Sequence, residues 1–147
     1  MNIEYQLQIA AVKGERIYFK EYGDLTFISD GYAGVYLKEH ELKIDKSKIT
    51  PITSDTTNDQ FDPKRILEKR TKAIEARTAY VLHRSQYAIK LYSEESGEHC
   101  FVDEKYLKAF GRSNALYIKS LKDPVFVQKH GIPYGIILPA HIPAQED

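Results

Sequence analysis

A chain of 147 residues has room for one ordinary domain. With 42% hydrophobic and 29% charged residues it can build a core under a solvated surface, and no run approaches the roughly 18 apolar residues that cross a bilayer. The 21 basic and 21 acidic side chains cancel, so composition does not advertise nucleic acid as a pI above about 9 would, although a basic patch on one face is compatible with neutrality.

The opening Met1-Asn2-Ile3-Glu4-Tyr5-Gln6 carries neither a basic n-region nor an apolar h-region, and Cys100 is the single cysteine. Both facts lead us to expect a cytoplasmic protein without an internal disulfide. The chain has 11 Tyr and no Trp, a balance that suits half-buried strands and contact surfaces.

In chain order, Ile3, Tyr5, Leu7 and Ile9 alternate as in a strand, while Ile3, Leu7, Ala10 and Ala11 fit a helix equally well. Arg16 to Tyr22 reads as a strand ended by Gly23-Asp24, and Leu25 to Ser29 as another. Asp30-Gly31 between two apolar runs signals a hairpin, with Gly34 to Leu37 as the return strand. Residues 43–60 are polar and read as a loop.

A helix is expected from Pro63 to about Arg77, with Asp62 as N-cap, Pro63 at its first position and Phe61 stapled to Ile66. Strands are expected at Ala79 to Leu82, Tyr87 to Tyr92 and His99 to Val102. Asp103 then caps a short helix through Phe110, stopped by Gly111. Ala115 to Ser120, Val125 to Lys129 and Tyr134 to Leu138 read as three closing strands. No repeat of short period is present. The fold class expected is α+β, with antiparallel sheets backed by two helices.

Signatures of catalysis are missing: there is no Gly-x-Ser-x-Gly elbow, P-loop or dinucleotide fingerprint. His40, His83, His99, His130 and His141 form no His-x-x-x-His pair and no zinc spacing with Cys100. On a strand, His99 and Cys100 point to opposite faces, as a surface His and a core Cys would. We therefore expect no catalytic residue, no metal site and no cofactor.

The expected Pro63–Arg77 helix is more informative. At about 100° per residue, Lys64, Arg65, Lys69 and Lys72 share an arc of about 140°, diluted by Glu68 and Glu75. Arg70 and Arg77 fall within the opposite, apolar arc, where their heads can reach water or a partner. The short second helix adds Lys105 and Lys108, with Arg112 just beyond it. A solvated helix face explains these residues simply; phosphate contact is the functional alternative.

The order of elements resembles a known family. Gly23-Asp24-Leu25-Thr26-Phe27-Ile28-Ser29-Asp30-Gly31-Tyr32 resembles the strand–Asp-Gly turn–strand of bacterial DNA sliding clamps, the β subunit of the replicative polymerase. The stretch from Phe101-Val102-Asp103-Glu104-Lys105-Tyr106-Leu107-Lys108-Ala109-Phe110 to Tyr134-Gly135-Ile136-Ile137-Leu138-Pro139-Ala140-His141 is similar to a clamp's last helix, three strands and closing Tyr-x-x-Met-Pro-x-Arg. Together they cover under half the chain. Tyr32-Ala33 stand where clamps carry His-Arg, and Leu138 and His141 where they carry Met and Arg. A clamp subunit has three such domains and this chain has length for one, which would suit a phage or mobile-element protein.

The resemblance implies two helices that face DNA and carry positive charge, matching the independent reading of Lys64, Arg65, Lys69, Lys72, Lys105 and Lys108. It implies that Ile137, Leu138, Pro139 and His141 help build a pocket for partner peptides. The function expected is a non-enzymatic DNA replication accessory, a homo-oligomer around or beside double-stranded DNA, meeting replication proteins and no membrane. The second reading is a protein-interaction module acting on a host protein through Arg70, Arg77 and exposed tyrosines. The third is an enzyme whose site is assembled only in three dimensions.

Overall fold

The computed structural model describes residues 2–52, 74–75, 77–80, 88–93, 97–111, 114–118 and 124–139. Helix α1 spans Ile3–Val12, which settles the ambiguity at the N-terminus. Ile3, Leu7 and Ala11 are buried at intervals of one turn, whereas a strand would bury Tyr5 beside them, and Tyr5 is 55% exposed. The Asn2 side chain starts the helix by accepting from Tyr5 N at 2.9 Å.

Strands β1 (Tyr18–Tyr22), β2 (Leu25–Ser29) and β3 (Ala33–Lys38) follow as an antiparallel meander. Two short 3₁₀ turns, Glu39–Glu41 and Lys46–Lys48, lead to β4 (Thr50–Pro51), β5 (Ile74–Glu75), β6 (Arg77–Tyr80), β7 (Ala88–Tyr92) and β8 (His99–Asp103). Helix α2 is Glu104–Phe110, and β9 (Ala115–Ile118), β10 (Val125–Lys129) and β11 (Ile132–Ile137) close the described chain. Asp103 caps α2 by accepting from Lys105 N at 3.0 Å. Gly111 ends it at φ 87°, a conformation that favours glycine.

The strands form an eight-stranded sheet in the order β4-β1-β2-β3-β11-β10-β9-β5 and a three-stranded sheet β6-β7-β8. Among the described residues every pairing is antiparallel except β1 with β4. The α+β class is as expected, but two elements differ. The expected Pro63–Arg77 helix does not reach its end, because Ile74–Glu75 pairs with β9 and Arg77–Tyr80 with β7. There the β-branched and aromatic residues satisfy their backbone in sheets rather than in a helical turn. Residues 63–73, on which the rest of that expectation falls, lie outside the described residues.

The loop expected at 43–60 is tied down at its start. Ile49 is buried and Thr50–Pro51 joins the sheet edge. Gln8 of α1 anchors the approach, donating to Glu41 O at 3.4 Å and accepting from Lys43 N at 2.5 Å.

A repeat of long period emerges in three dimensions. The units α1-β1-β2-β3 and α2-β9-β10-β11 are each a helix followed by a three-stranded meander. They meet where β3 pairs antiparallel with β11, so the sheet order mirrors itself about that seam. By register and face, the paired Phe27 and Tyr36 in the first unit correspond to the paired Phe126 and Ile136 in the second, and the core residue Leu37 to Ile137.

One sheet face carries α1, α2 and the three-stranded sheet over a core that includes Ile3, Leu7, Val35, Val102, Phe110 and Val127. The other face carries Phe27, Tyr36, Phe126 and Ile136, with Phe27 and Tyr36 rings 4.9 Å apart. At the seam the backbones approach closely because Gly34 and Gly135 present no Cβ. Phe27 lies over Gly34 and Phe110 over Gly135, on opposite faces of the sheet.

The β10–β11 turn is His130-Gly131, both at positive φ (54° and 76°), as a two-residue type I′ hairpin requires. Histidine tolerates this conformation less well than Asn or Gly. His130→Asn should raise the thermal midpoint slightly, and His130→Val should lower stability by about 1–2 kcal/mol. Chemical denaturation of the two variants checks both signs.

Candidate binding face

Helices α1 and α2 pack against each other on the same sheet face. Each turns its apolar side inward: Ile3, Leu7 and Ala11 from α1, Tyr106, Ala109 and Phe110 from α2. Asn2, Tyr5, Gln6 and Val12 are exposed along α1, and Lys13 is exposed just past its end. From α2, Lys105 and Lys108 are exposed. Lys105 Nζ lies 4.9 Å from the centre of the Tyr106 ring, and Lys108 Nζ pairs with Glu104 at 2.8 Å.

Two phenol–carboxylate bonds fasten this face across the repeat. Tyr106 of α2 donates to Asp30 Oδ2 at 2.6 Å, in the β2–β3 turn of the other unit. Tyr134 of β11 donates to Glu4 Oε1 of α1 at 2.6 Å. Each unit's helix is thus held by the other unit's hairpin. Asp30 does more than close a hairpin, since its Oδ1 also accepts from Tyr32 N at 2.8 Å and Ala33 N at 3.0 Å. Tyr134 is the extra residue of a bulge in β11, opposite the step from Val127 to Gln128, which re-aims its ring toward the helices. Phe110 meets that ring edge-on at 5.7 Å, and Lys129 Nζ sits 5.0 Å from its centre.

Burial first, then the hydrogen bond and charge of Asp30, hold the Tyr106 phenol above its ordinary range. Burial and Glu4 do the same to Tyr134. Burial pushes the Cys100 thiol up to about 12, so it is protonated and unreactive at neutral pH. His99 and Cys100 do point to opposite faces: His99 is half-buried beside Phe101, and Cys100 is in the core. Among the described residues, no group of three or more His, Cys, Asp or Glu side chains is placed to hold a metal ion. No described helix is long and apolar enough to cross a membrane.

Of the residues singled out by sequence, Lys105 and Lys108 stand on the helix-bearing face as described above. Lys64, Arg65, Lys69, Arg70, Lys72, Arg112 and His141 lie outside the described residues. Arg77 is on β6, opposite Tyr92, and so cannot share a helical arc with Arg70. Ile137 is fully buried, paired with Val125 and Ala33. It supports the core and offers no contact surface, because its position on β11 points it under the helices. Leu138 and Pro139 are half-buried beside the exposed Tyr32, whose carbonyl accepts from Leu138 N at 2.8 Å. The sequence reading left α1 undecided and so missed its outer residues; the cue was Asn2 ahead of apolar residues spaced one turn apart. Comparison with known protein families, curated proteins and solved structures finds no match.

Proposed function

We propose that this chain is a non-enzymatic, sliding-clamp-like domain that associates with double-stranded DNA as a replication accessory in the cytoplasm. The observation that supports this reading is the pair of helices lying together on one face of a largely antiparallel sheet, with Lys105 and Lys108 exposed on α2. That is the arrangement the clamp resemblance implies for a DNA-facing surface. Helix α1 contributes no Lys or Arg, so cations come from α2, from Lys13 and, in this proposal, from Lys64, Arg65, Lys69, Lys72 and Arg112. In this proposal the cations meet phosphates, and binding is independent of base sequence.

Duplex DNA titrated at about 50 mM salt should bind, and binding should weaken steeply as salt rises. The double variant Lys105→Glu with Lys108→Glu should weaken it further and reduce the salt slope by about two. Absence of binding at low salt, or binding indifferent to the double variant, sinks the DNA role.

A second reading draws on α1 itself. Tyr5 (55% exposed) and Val12 (73% exposed) stand on a helix without cations, which suits a protein partner better than DNA. In that reading the partner is a replication protein or a host protein. Capture of a defined replication protein that survives nuclease and is lost in Tyr5→Ala would favour it.

A further inference from the structure

We propose that β8 is a homodimerisation edge, which pairs antiparallel with β8 of a second copy about a two-fold axis at Phe101. Among the described residues, β8 has β7 on one side and no strand on the other. Among the described residues the other sheet edges are shorter: β4 and β5 have two residues each, β4 includes Pro51, and β6 has four. Short strands and proline blunt an edge against pairing. β8 has five residues, His99-Cys100-Phe101-Val102-Asp103, with no proline and no lysine. Among the described residues, β7 is the only strand whose backbone pairs with these five, and Asp103 is in addition the N-cap of α2.

The strand is self-complementary when reversed. With Phe101 on the axis, His99 faces Asp103 of the second copy, Cys100 faces Val102, and Phe101 faces Phe101. The symmetry makes the His–Asp pair twice. Cys100 and Val102 are buried in their own core, while His99, Phe101 and Asp103 share the half-buried face and would make the cross-strand contacts. The His99 and Phe101 rings already meet edge-on at 5.6 Å within the strand, which positions both at the seam. Asp103 uses Oδ1 to cap α2, and in the proposed pair its second oxygen meets His99. Pairing stops after Asp103 because the chain turns into α2. Glu104, which would otherwise oppose Glu98, leaves the strand line there and pairs with Lys108 at 2.8 Å. A slip of one residue would place core side chains opposite the charged ones, so the register is specified. The interface is isologous and closes on itself as a dimer. It does not depend on the DNA reading and is tested without DNA.

The test is the solution mass of the full chain by sedimentation equilibrium over a wide concentration range, with hydrogen exchange of the β8 amides followed in parallel. A concentration-dependent monomer–dimer equilibrium is expected, with β8 amides gaining protection as dimer forms. His99→Asp, which sets two carboxylates opposite each other twice, should weaken dimerisation about tenfold or more. His99→Lys, which keeps the attraction to Asp103, should retain it. Circular dichroism checks that both variants are folded. A monomer at every concentration, a dimer indifferent to His99→Asp, or a dimer whose β8 amides exchange as fast as in the monomer overturns the proposal.

Discussion

Gly135→Ala is expected to lower the unfolding free energy by about 3 kcal/mol or more, the largest effect expected of an alanine at any of the glycines. The new Cβ would stand 2.6 Å from Phe110 Cε1 and well inside contact distance of Gly34 O. The ring is buried and the carbonyl belongs to the facing strand, so neither can withdraw without opening the β3–β11 seam that joins the two halves of the sheet. Gly34→Ala meets Phe27 Cε1 at 2.5 Å and Ile28 O at 2.9 Å on the other face. Its main obstacle is a side chain, so Phe27→Leu should restore part of the loss there. Trimming Phe110 should restore less in Gly135→Ala, because the Gly34 carbonyl stays in place. Urea denaturation of the singles and doubles separates the cases. A Gly135→Ala protein within 1 kcal/mol of the parent would show that the seam can open cheaply.

Tyr106→Phe and Tyr134→Phe should each cost about 1.5–3 kcal/mol, the usual range for a hydrogen bond to a charged group. Each removes one 2.6 Å bond between a helix and the opposite unit's hairpin. Tyr106→Phe should be the smaller loss, since Asp30 keeps its bonds to Tyr32 N and Ala33 N. The same phenols set an alkaline limit. Both are held above the ordinary phenol value of 10.0 in the folded chain, so their contribution is complete below that pH. As pH rises past it, the unfolded chain releases protons that the folded chain keeps, and stability falls by up to about 1.4 kcal/mol per pH unit for each phenol. Cys100 acts in the same direction from its ordinary value of 9.0 up to about 12. Unfolding measured from about pH 8 to about pH 11 should therefore show a decline that is shallower in either Tyr→Phe variant. A parent protein with flat stability across that range would contradict the brace.

The division between what could be read from residues alone and what needed the fold follows the range of the interactions involved. Asp103 and Gly111 bracket α2 because capping and left-handed termination are settled by the nearest residues. Strands β2, β3, β7, β8 and β10 are legible from alternation and turn residues for the same reason. At the start of the chain periodicity alone was ambiguous, since Ile3 and Leu7 fit both a strand and a helix; the Asn2 cap and burial of Ile3, Leu7 and Ala11 go with the helix. The end of the Pro63–Arg77 helix failed where Ile74 and Arg77 found partners in β9 and β7, which are distant in sequence.

The repeat is the clearest case of information present but unreadable in one dimension. Phe27, Tyr36, Phe126 and Ile136 are each unremarkable beside their neighbours. Their equivalence becomes visible when β3 meets β11 and the two units face each other. The candidate face was half legible: Lys105 and Lys108 follow from helical spacing, whereas the bonds from Tyr106 to Asp30 and from Tyr134 to Glu4 join residues far apart in the chain. Local propensities determined which segments could be helix or strand and that the chain could bury a core. Long-range pairing alone decided which glycines must lack a Cβ, which tyrosines act as braces and which lysines share a face, because those depend on neighbours that only folding brings together.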